Sequence, residues 1–367
     1  MGPSSPHEAG WNFSAGPAML PRPVLARIRE ELPDYAGSGQ SVLELPFSGT
    51  HYRDIAARAE QALRALLSIP SDHAVLFLQG GASAQFALLP LNLLGEHEVA
   101  DYVESGYWSA KCIAEARRFC RVNVAASGAG TGFDRVPEPA AWSASPGAAY
   151  LHITANETAN GLEYPWTPVR LRTPLVADVS SSFLTRPLEL ADYGAIYASA
   201  QKNIGPAGLT VVIVDRTLFA RERPATPAVF SYRRQAEAGS SLNTPPTFAV
   251  YVAGLVFDWI AAQGGLEAME AASRDKSERV YRAIDDSGGF YRCPVSPPFR
   301  SRVNVCFRLR DDTLTQAFVA QARAAGLENL AGHSKVGGLR ASLYNAMPIA
   351  GAQALAAFMR DFAQRYG

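Results

Sequence analysis

Lysine is nearly missing from this chain. Of 34 basic residues in 367, thirty are arginine, and only Lys111, Lys202, Lys276 and Lys335 offer a primary amine. Any chemistry that needs such an amine has four candidates. Cysteine is scarce too. Cys112, Cys120, Cys293 and Cys306 include no CxxC pair, and so few in so long a chain make no disulfide framework. A reducing, cytoplasmic setting is expected, and no metal. The formal net charge is zero, which excludes the basic excess that nucleic acid or an anionic membrane surface demands. No apolar run approaches the roughly 20 residues that span a bilayer. Residues 1–11 are mostly polar and lack the apolar stretch of a signal peptide. They read as a disordered tail.

What is present is a chain with 48% hydrophobic residues, enough for one large domain and a smaller one. From about residue 74 to 215, short apolar runs alternate with helical patterns. The runs are Ala74–Gln79, Ala100–Val103, Arg121–Ala125, Ala148–Thr154, Leu175–Val179, Ala195–Ser199 and Thr210–Val214. They do not alternate in polarity, as expected of strands covered on both faces. Helices are expected between them at Ala84–Leu94 and Ser109–Arg118. The pattern predicts an α/β fold with a mostly parallel sheet. The last strand follows a short connection, which favours an antiparallel placement. Beyond it, helices at Thr247–Gln263, Leu266–Ser287, Thr313–Ala325 and Ile349–Tyr366 and strands at Arg302–Leu309 and Gly338–Ser342 predict a small α+β domain. The expected division is 12–263 for the large domain and 264–367 for the small one, with the N-terminal arm reaching the small domain or an interface.

Lys202 sits where a strand ends and a Gly/Pro turn begins, in Ala200-Gln-Lys-Asn-Ile-Gly-Pro-Ala-Gly. Ligands of open α/β sheets gather at that edge. The surroundings are uncharged, so desolvation would lower the amine's pKa and make it nucleophilic. Lys111 and Lys276 lie in charged helical stretches and read as solvated. Asp178 ends the strand expected beside that of Lys202, which suits equally a cap on the next turn or a carboxylate paired with a protonated pyridine nitrogen. Gly80-Gly-Ala-Ser-Ala-Gln follows a strand and opens a helix, a start suited to a phosphate. Trp108 ends another strand region, which suits either a core tryptophan, the commoner meaning, or an aromatic that stacks on a planar cofactor. Gly128-Ala-Gly-Thr-Gly is followed by Phe133-Asp-Arg-Val-Pro rather than by a helix, so it is no dinucleotide loop.

With those residues placed, the chain from Asn12 to Tyr366 resembles the phosphoserine aminotransferase family, which are class-V aminotransferases of the fold-type I pyridoxal-phosphate enzymes. The matching segments run in order: Phe13-Ser-Ala-Gly-Pro-Ala, Ala100-Asp-Tyr-Val with Gly106-Tyr-Trp, Asn156-Glu-Thr, the Lys202 segment, Asn243-Thr-Pro-Pro-Thr and Val336-Gly-Gly-Leu-Arg-Ala-Ser. The resemblance implies an aspartate-aminotransferase-like fold, pyridoxal 5′-phosphate as cofactor, and ping-pong amino transfer between an α-amino acid and an α-keto acid. It implies that Lys202 carries the cofactor, Asp178 meets its pyridine nitrogen, Trp108 stacks on the ring and Thr158 reaches the phenolic oxygen. Ala82, Ser83 and Gln201 would line the phosphate cup. Asn243 and Thr244 would reach the phosphate of the other subunit in a homodimer with shared sites. Arg340 would bind the substrate's α-carboxylate.

The chain departs from the family at the distal end of the substrate. A His-Arg pair that reads the distal anion is replaced by Phe47 and Ser48, and a second pair reads His333-Ser334 before Lys335. Hydrogen bonds to charged groups contribute about 1.5–3 kcal/mol each, so these losses are large unless replaced. One expectation is a rebuilt side-chain pocket, with Phe47 favouring a less charged or more apolar side chain. The other is a true phosphoserine:2-oxoglutarate aminotransferase compensated by Lys335, His51 or Arg53. A lyase or desulfurase would share the cofactor residues but needs a reactive cysteine, and no motif supports Cys293. A cofactor-free binding protein is disfavoured by the presence of Lys202 and Asp178.

Overall fold

The computed structural model describes residues 10–167 and 173–367. The chain enters as β1 (Trp11–Asn12) and builds its main sheet from β2 (His73–Leu78), β3 (Val99–Glu104), β4 (Arg121–Ser127), β5 (Leu151–Thr154), β8 (Leu175–Asp178), β9 (Ala195–Ser199) and β10 (Thr210–Asp215). Their spatial order is β2-β10-β9-β8-β5-β3-β4. Strand β10 runs antiparallel to both neighbours, and the β9-β8-β5-β3-β4 pairs are parallel. The short 200–209 connection explains that one reversal, since a parallel return needs a longer crossover. Strand β9 shows why the runs are apolar throughout. Ile196 and Ala198 face one core, while Ala195 and Tyr197 face another.

The first core is closed by α1 (Arg22–Glu31), α2 (Thr50–Leu67) and α7 (Thr247–Ala262). Gly254 lets α2 and α7 cross closely, because a β-carbon there would stand 3.2 Å from the Ala59 methyl. The opposite face carries α3 (Gly81–Leu93), α4 (Tyr107–Ala116) and the short α6 (Tyr232–Glu237). A hairpin of β6 (Asn156–Glu157) and β7 (Leu162–Glu163) extends the end of β5. The four-residue α5 (Ala200–Asn203) follows β9 directly.

A third core gathers under a separate sheet, β11 (Tyr291–Arg292), β12 (Asn304–Leu309), β15 (Gly337–Ser342) and β14 (Ala331–His333), with α8 (Gly265–Asp285), α9 (Thr315–Ala324) and α10 (Ile349–Tyr366) packed on it. Two sequence expectations change here. Trp11, assigned to the tail, pairs in β1 with β13 (Leu327–Glu328), and Phe13 is fully buried in this core. Residues 1–9 of that tail lie outside the described residues. Lys276, expected to be solvated, is 1% exposed and donates to the carbonyls of Tyr344 and Met347 at 2.7 and 3.0 Å. Among the described residues no single helix is long and apolar enough to cross a membrane.

Candidate active site

The carboxyl ends of β2, β3, β5, β8 and β9 meet at one edge of the main sheet, and the residues that follow them line one cavity. Lys202 is on α5, immediately beyond β9. Its Nζ lies 2.5 Å from Thr158 Oγ1 and 5.4 Å from the centre of the Trp108 ring. Burial pushes the amine down to about 8, Asp178 opposes that shift, and Arg340 adds to it. Asp178 closes β8 and is buried. Burial raises its carboxyl pKa, against the Lys202 charge and the Ser180 amide, which donates to Oδ1 at 2.8 Å. The Tyr197 hydroxyl is 2.9 Å from His152 Nε2.

Beyond β2 the chain turns sharply to start α3. Gly80 has φ +100°, and a β-carbon on it would stand 2.5 Å from the Ala84 methyl. Ala82 donates its amide to Ser199 Oγ at 2.7 Å, tying the helix start to the end of β9. Gly80, Gly81, Ala82, Ser83 and Gln201 border the cavity there. A helix amino terminus leaves amides free for an anion.

Trp108 is held by a residue that sequence reasoning missed. The Glu157 carboxylate is fully buried and accepts the Trp108 and Ser109 amides at 2.8 and 2.9 Å, capping α4. Asn160 accepts the Tyr107 amide at 2.9 Å. Gly106 is required at this approach, because a β-carbon would fall 2.7 Å from Asn160 Oδ1 and from Glu157 Cδ. The one signal for Glu157 was the string Asn156-Glu-Thr, whose middle residue has no visible role until the fold sets it under α4. Asn156 donates to Ser181 Oγ and Asn304 Oδ1, both at 2.7 Å. Arg340 on β15 donates to the Thr158 carbonyl at 3.2 Å.

Several buried polar atoms have no partner among the described residues: Trp108 Nε1, Thr154 Oγ1, Asn156 Oδ1 and Arg340 Nε. The first three belong to residues lining the cavity. Orphaned buried groups are met by water, an ion or a ligand, and three at one cavity fit a polar ligand there. A flat aromatic group with a phosphate on the α3 turn, a basic ring nitrogen at Asp178 and a carbonyl at Lys202 would fit, and pyridoxal phosphate has this chemistry.

The structure does not bring every expected residue to the cavity. Asn243 and Thr244 are exposed in a neighbouring groove, where the Thr244 carbonyl accepts from Gln79 Nε2 at 2.8 Å. Phe47 packs on the first core and Ser48 is exposed. His51 is exposed with its ring against Tyr35, and Arg53 is exposed on α2. His333 does reach the site, its ring 4.4 Å from that of Tyr107 and 5.9 Å from that of Trp108. Ser334 and Lys335 form the turn after it. Cys293 packs between two cores, and burial raises its thiol pKa, the opposite of what a reactive thiolate needs.

Residues 10–355 match the family model Aminotransferase class-V. The phosphoserine aminotransferase of Chromobacterium violaceum is 50% identical over 358 residues, covering 97% of this chain and 99% of that protein. The solved phosphoserine aminotransferase of Bacillus circulans subsp. alkalophilus superposes with a TM-score of 0.96 at 42% identity, covering 98% of this chain and 100% of that one. The pyridoxal-phosphate-bound phosphoserine aminotransferase of Trichomonas vaginalis superposes with a TM-score of 0.91 at 39% identity, over 96% and 99%.

Proposed function

This chain belongs to the class-V aminotransferases and is a pyridoxal-phosphate-dependent transaminase, and from that premise we propose that it exchanges an amino group, in ping-pong order, between an α-amino acid with an anionic side chain and an α-keto acid. The observation that carries the reading is the Lys202 amine, mostly buried, lowered to about 8 and set between Thr158 Oγ1 and the Trp108 ring. Bound pyridoxal phosphate supplies an electron sink that lets the Cα proton leave. Lys202 holds the group and then, as a free amine, takes and returns that proton. Asp178 lies beneath it, where burial raises its carboxyl pKa while the Lys202 charge and the Ser180 amide favour the carboxylate that would meet the ring nitrogen. Trp108 and Thr158 orient the ring, while Ala82, Ser83 and Gln201 hold the phosphate.

Arg340 takes the α-carboxylate, since its guanidinium stands at the site with an unpartnered Nε. At the positions that the resemblance assigns to the distal end of the substrate, Phe47, Ser48 and Ser334 provide no cation, and the relatives that the chain matches are named for a phosphorylated amino acid. Asn243 and Thr244 complete the phosphate cup of a second subunit, which makes the working form a homodimer. Their exposure beside the carboxyl end of β2 supports this. The division at residue 263 is supported by the separate sheets and cores on either side of it. The four free thiols support a reducing, cytoplasmic setting.

The test is a half-reaction. Protein loaded with pyridoxal phosphate is mixed separately with L-phosphoserine, L-glutamate and neutral amino acids, and each keto acid is quantified. Keto acid from the anionic amino acids, lost in Lys202→Ala, is expected. Keto acid from neutral amino acids alone would overturn the substrate class, and none from any would overturn the reaction.

A further inference from the structure

Lys202 is gripped on both sides from a distant part of the chain. The loop that joins β15 to α10, residues 343–348, reaches the main sheet at α5. On one side of Lys202 the Asn345 amide donates to Asn203 Oδ1 at 2.9 Å, and Asn203 Nδ2 donates to the Phe183 carbonyl at 2.6 Å. On the other side the Tyr344 hydroxyl donates to the Ala15 carbonyl at 2.8 Å, and the Ala18 amide donates to the Gln201 carbonyl at 2.9 Å. Gly16 lies between those two contacts, where a β-carbon would stand 3.5 Å from Lys202 Cγ. The same loop holds the segment that follows Asp178. Asn345 Nδ2 donates to the Leu184 carbonyl at 2.7 Å. Leu184 is fully buried at φ +58°, a left-handed conformation that a bulky residue rarely adopts. Such a turn persists only when its surroundings hold it.

What holds the loop itself is Lys276. It comes from α8, and its Nζ donates to the Tyr344 and Met347 carbonyls at 2.7 and 3.0 Å, on either side of Asn345. Tyr344 and Met347 are both buried, so water does not serve those carbonyls. Burial is the one influence that shifts the Lys276 amine, and no carboxylate opposes it. A buried amine without a counter-charge costs stability, and a methionine of similar length would fill the same space without that cost. The ammonium supplies what methionine lacks: donors for two carbonyls, and with them a fixed shape for residues 344–347.

We propose that Lys276 and Asn345 are positioning residues of this enzyme. Lys276 sets the 344–347 turn, and through it Asn345 and Tyr344 fix the residues on either side of Lys202 and the turn beyond Asp178. Neither Lys276 nor Asn345 lines the cavity. The core beneath the small sheet thereby decides where the amine stands at the edge of the large one. The inference rests on the reading of Lys202 as the reacting amine and deepens it.

Hydrogen exchange read by peptide mass spectrometry tests the clamp, on protein loaded with pyridoxal phosphate and on unloaded protein. Three variants are compared. Lys276→Met keeps most of the side chain and removes its donors. Asn345→Ala removes the bond to Leu184. Val280→Ala, buried in the same core on the same helix, lowers stability without touching the turn. The first two should speed exchange about tenfold in peptides covering residues 179–185 and 200–205, while Val280→Ala leaves those peptides at the parental rate. In unloaded protein the first two should also raise the Lys202 titration midpoint by about half a unit or more, because a loosened α5 admits water to the amine. Parental exchange and a parental midpoint in a folded Lys276→Met would overturn the role of Lys276, and the same result in Asn345→Ala would overturn the clamp. Equal acceleration by Val280→Ala would overturn it as well, since the effect would then be lost stability alone. Where Lys276→Met does not fold, Asn345→Ala decides. A protein that takes up no pyridoxal phosphate would overturn the reading of Lys202, and exchange in the unloaded protein would still decide the clamp.

Discussion

The chemistry proposed for the site rests on a lysine and an aspartate that pull each other's protonation in opposite directions. Burial lowers the Lys202 amine to about 8, and the Asp178 carboxylate is the largest influence raising it. In the cofactor-free protein the Lys202 amine should therefore titrate near about 8, and Asp178→Asn should shift that midpoint downward. Reductive methylation across a pH series, read by peptide mass spectrometry, checks both. Lys202→Ala should cost at least about a thousandfold in turnover, because a general acid-base group at the reacting carbon is lost. Lys276 offers a second titration with a different consequence. Burial pushes it down to about 7, so between that value and its ordinary 10.5 the unfolded chain binds a proton that the folded chain does not. Its contribution to stability should rise with pH over that window and be least favourable below it. Denaturant titrations of the parent and of Lys276→Met at pH 7 and pH 10 measure this. A parent that loses ground to the variant as pH rises would contradict the sign.

At the scale of elements, α4 and the start of α3 do most to place the residues proposed to hold the cofactor, and each depends on a residue whose role is invisible along the chain. Glu157, at the end of the β6 strand, holds the first amides of α4 and so sets the position of Trp108. Glu157→Ala leaves those buried donors without a partner. It should cost about 2–3 kcal/mol of stability and weaken pyridoxal phosphate binding, which a thermal melt and a cofactor titration would register. Gly80 makes the turn into α3 at positive φ with no room for a methyl, so Gly80→Ala should likewise loosen cofactor binding more than it lowers the melting temperature. The strands were readable because covering both faces of a sheet demands unbroken apolar runs, and β9 shows that demand residue by residue. The helices α1 and α2 went unassigned, although Tyr52, Ile55, Ala59, Leu63 and Leu67 recur at helical spacing and are buried. Their signal is diluted by the charged residues on the other face of α2.

For the whole molecule, the proposal of shared sites makes a prediction that no single chain satisfies. A protein with Lys202→Ala and another with Asn243→Ala and Thr244→Ala should each be impaired. Mixed and reassociated, they should recover about a quarter of the parental activity, because half of the dimers are mixed and each mixed dimer restores one complete site. Absence of recovery, with reassociation verified by mass, would place Asn243 and Thr244 outside the phosphate cup. The small sheet matters at this scale as well. It brings Arg340, His333 and Lys335 to the edge of the large sheet, more than a hundred residues away along the chain from Lys202, and Asn304 on β12 reaches across to Asn156.

By itself the sequence determined the α/β order and the strand ends at which Asp178 and Lys202 sit, and so which amine stands at the cavity edge. These follow from local facts: apolar runs, a Gly/Pro turn after a strand, and a near absence of other lysines. What only the tertiary structure decided is which side chains share a space. Lys111 and Lys276 look alike along the chain, each in a charged helix, yet one overhangs the stacking ring and the other is sealed inside the small core. Phe47 and Ser48 look like cavity residues by position, and in this chain they lie on the first core and on the surface. The difference is physical. Backbone propensity and hydrophobic period act over a few neighbouring residues, whereas the burial of one amine and the exposure of another are set by elements packed against them from distant parts of the chain.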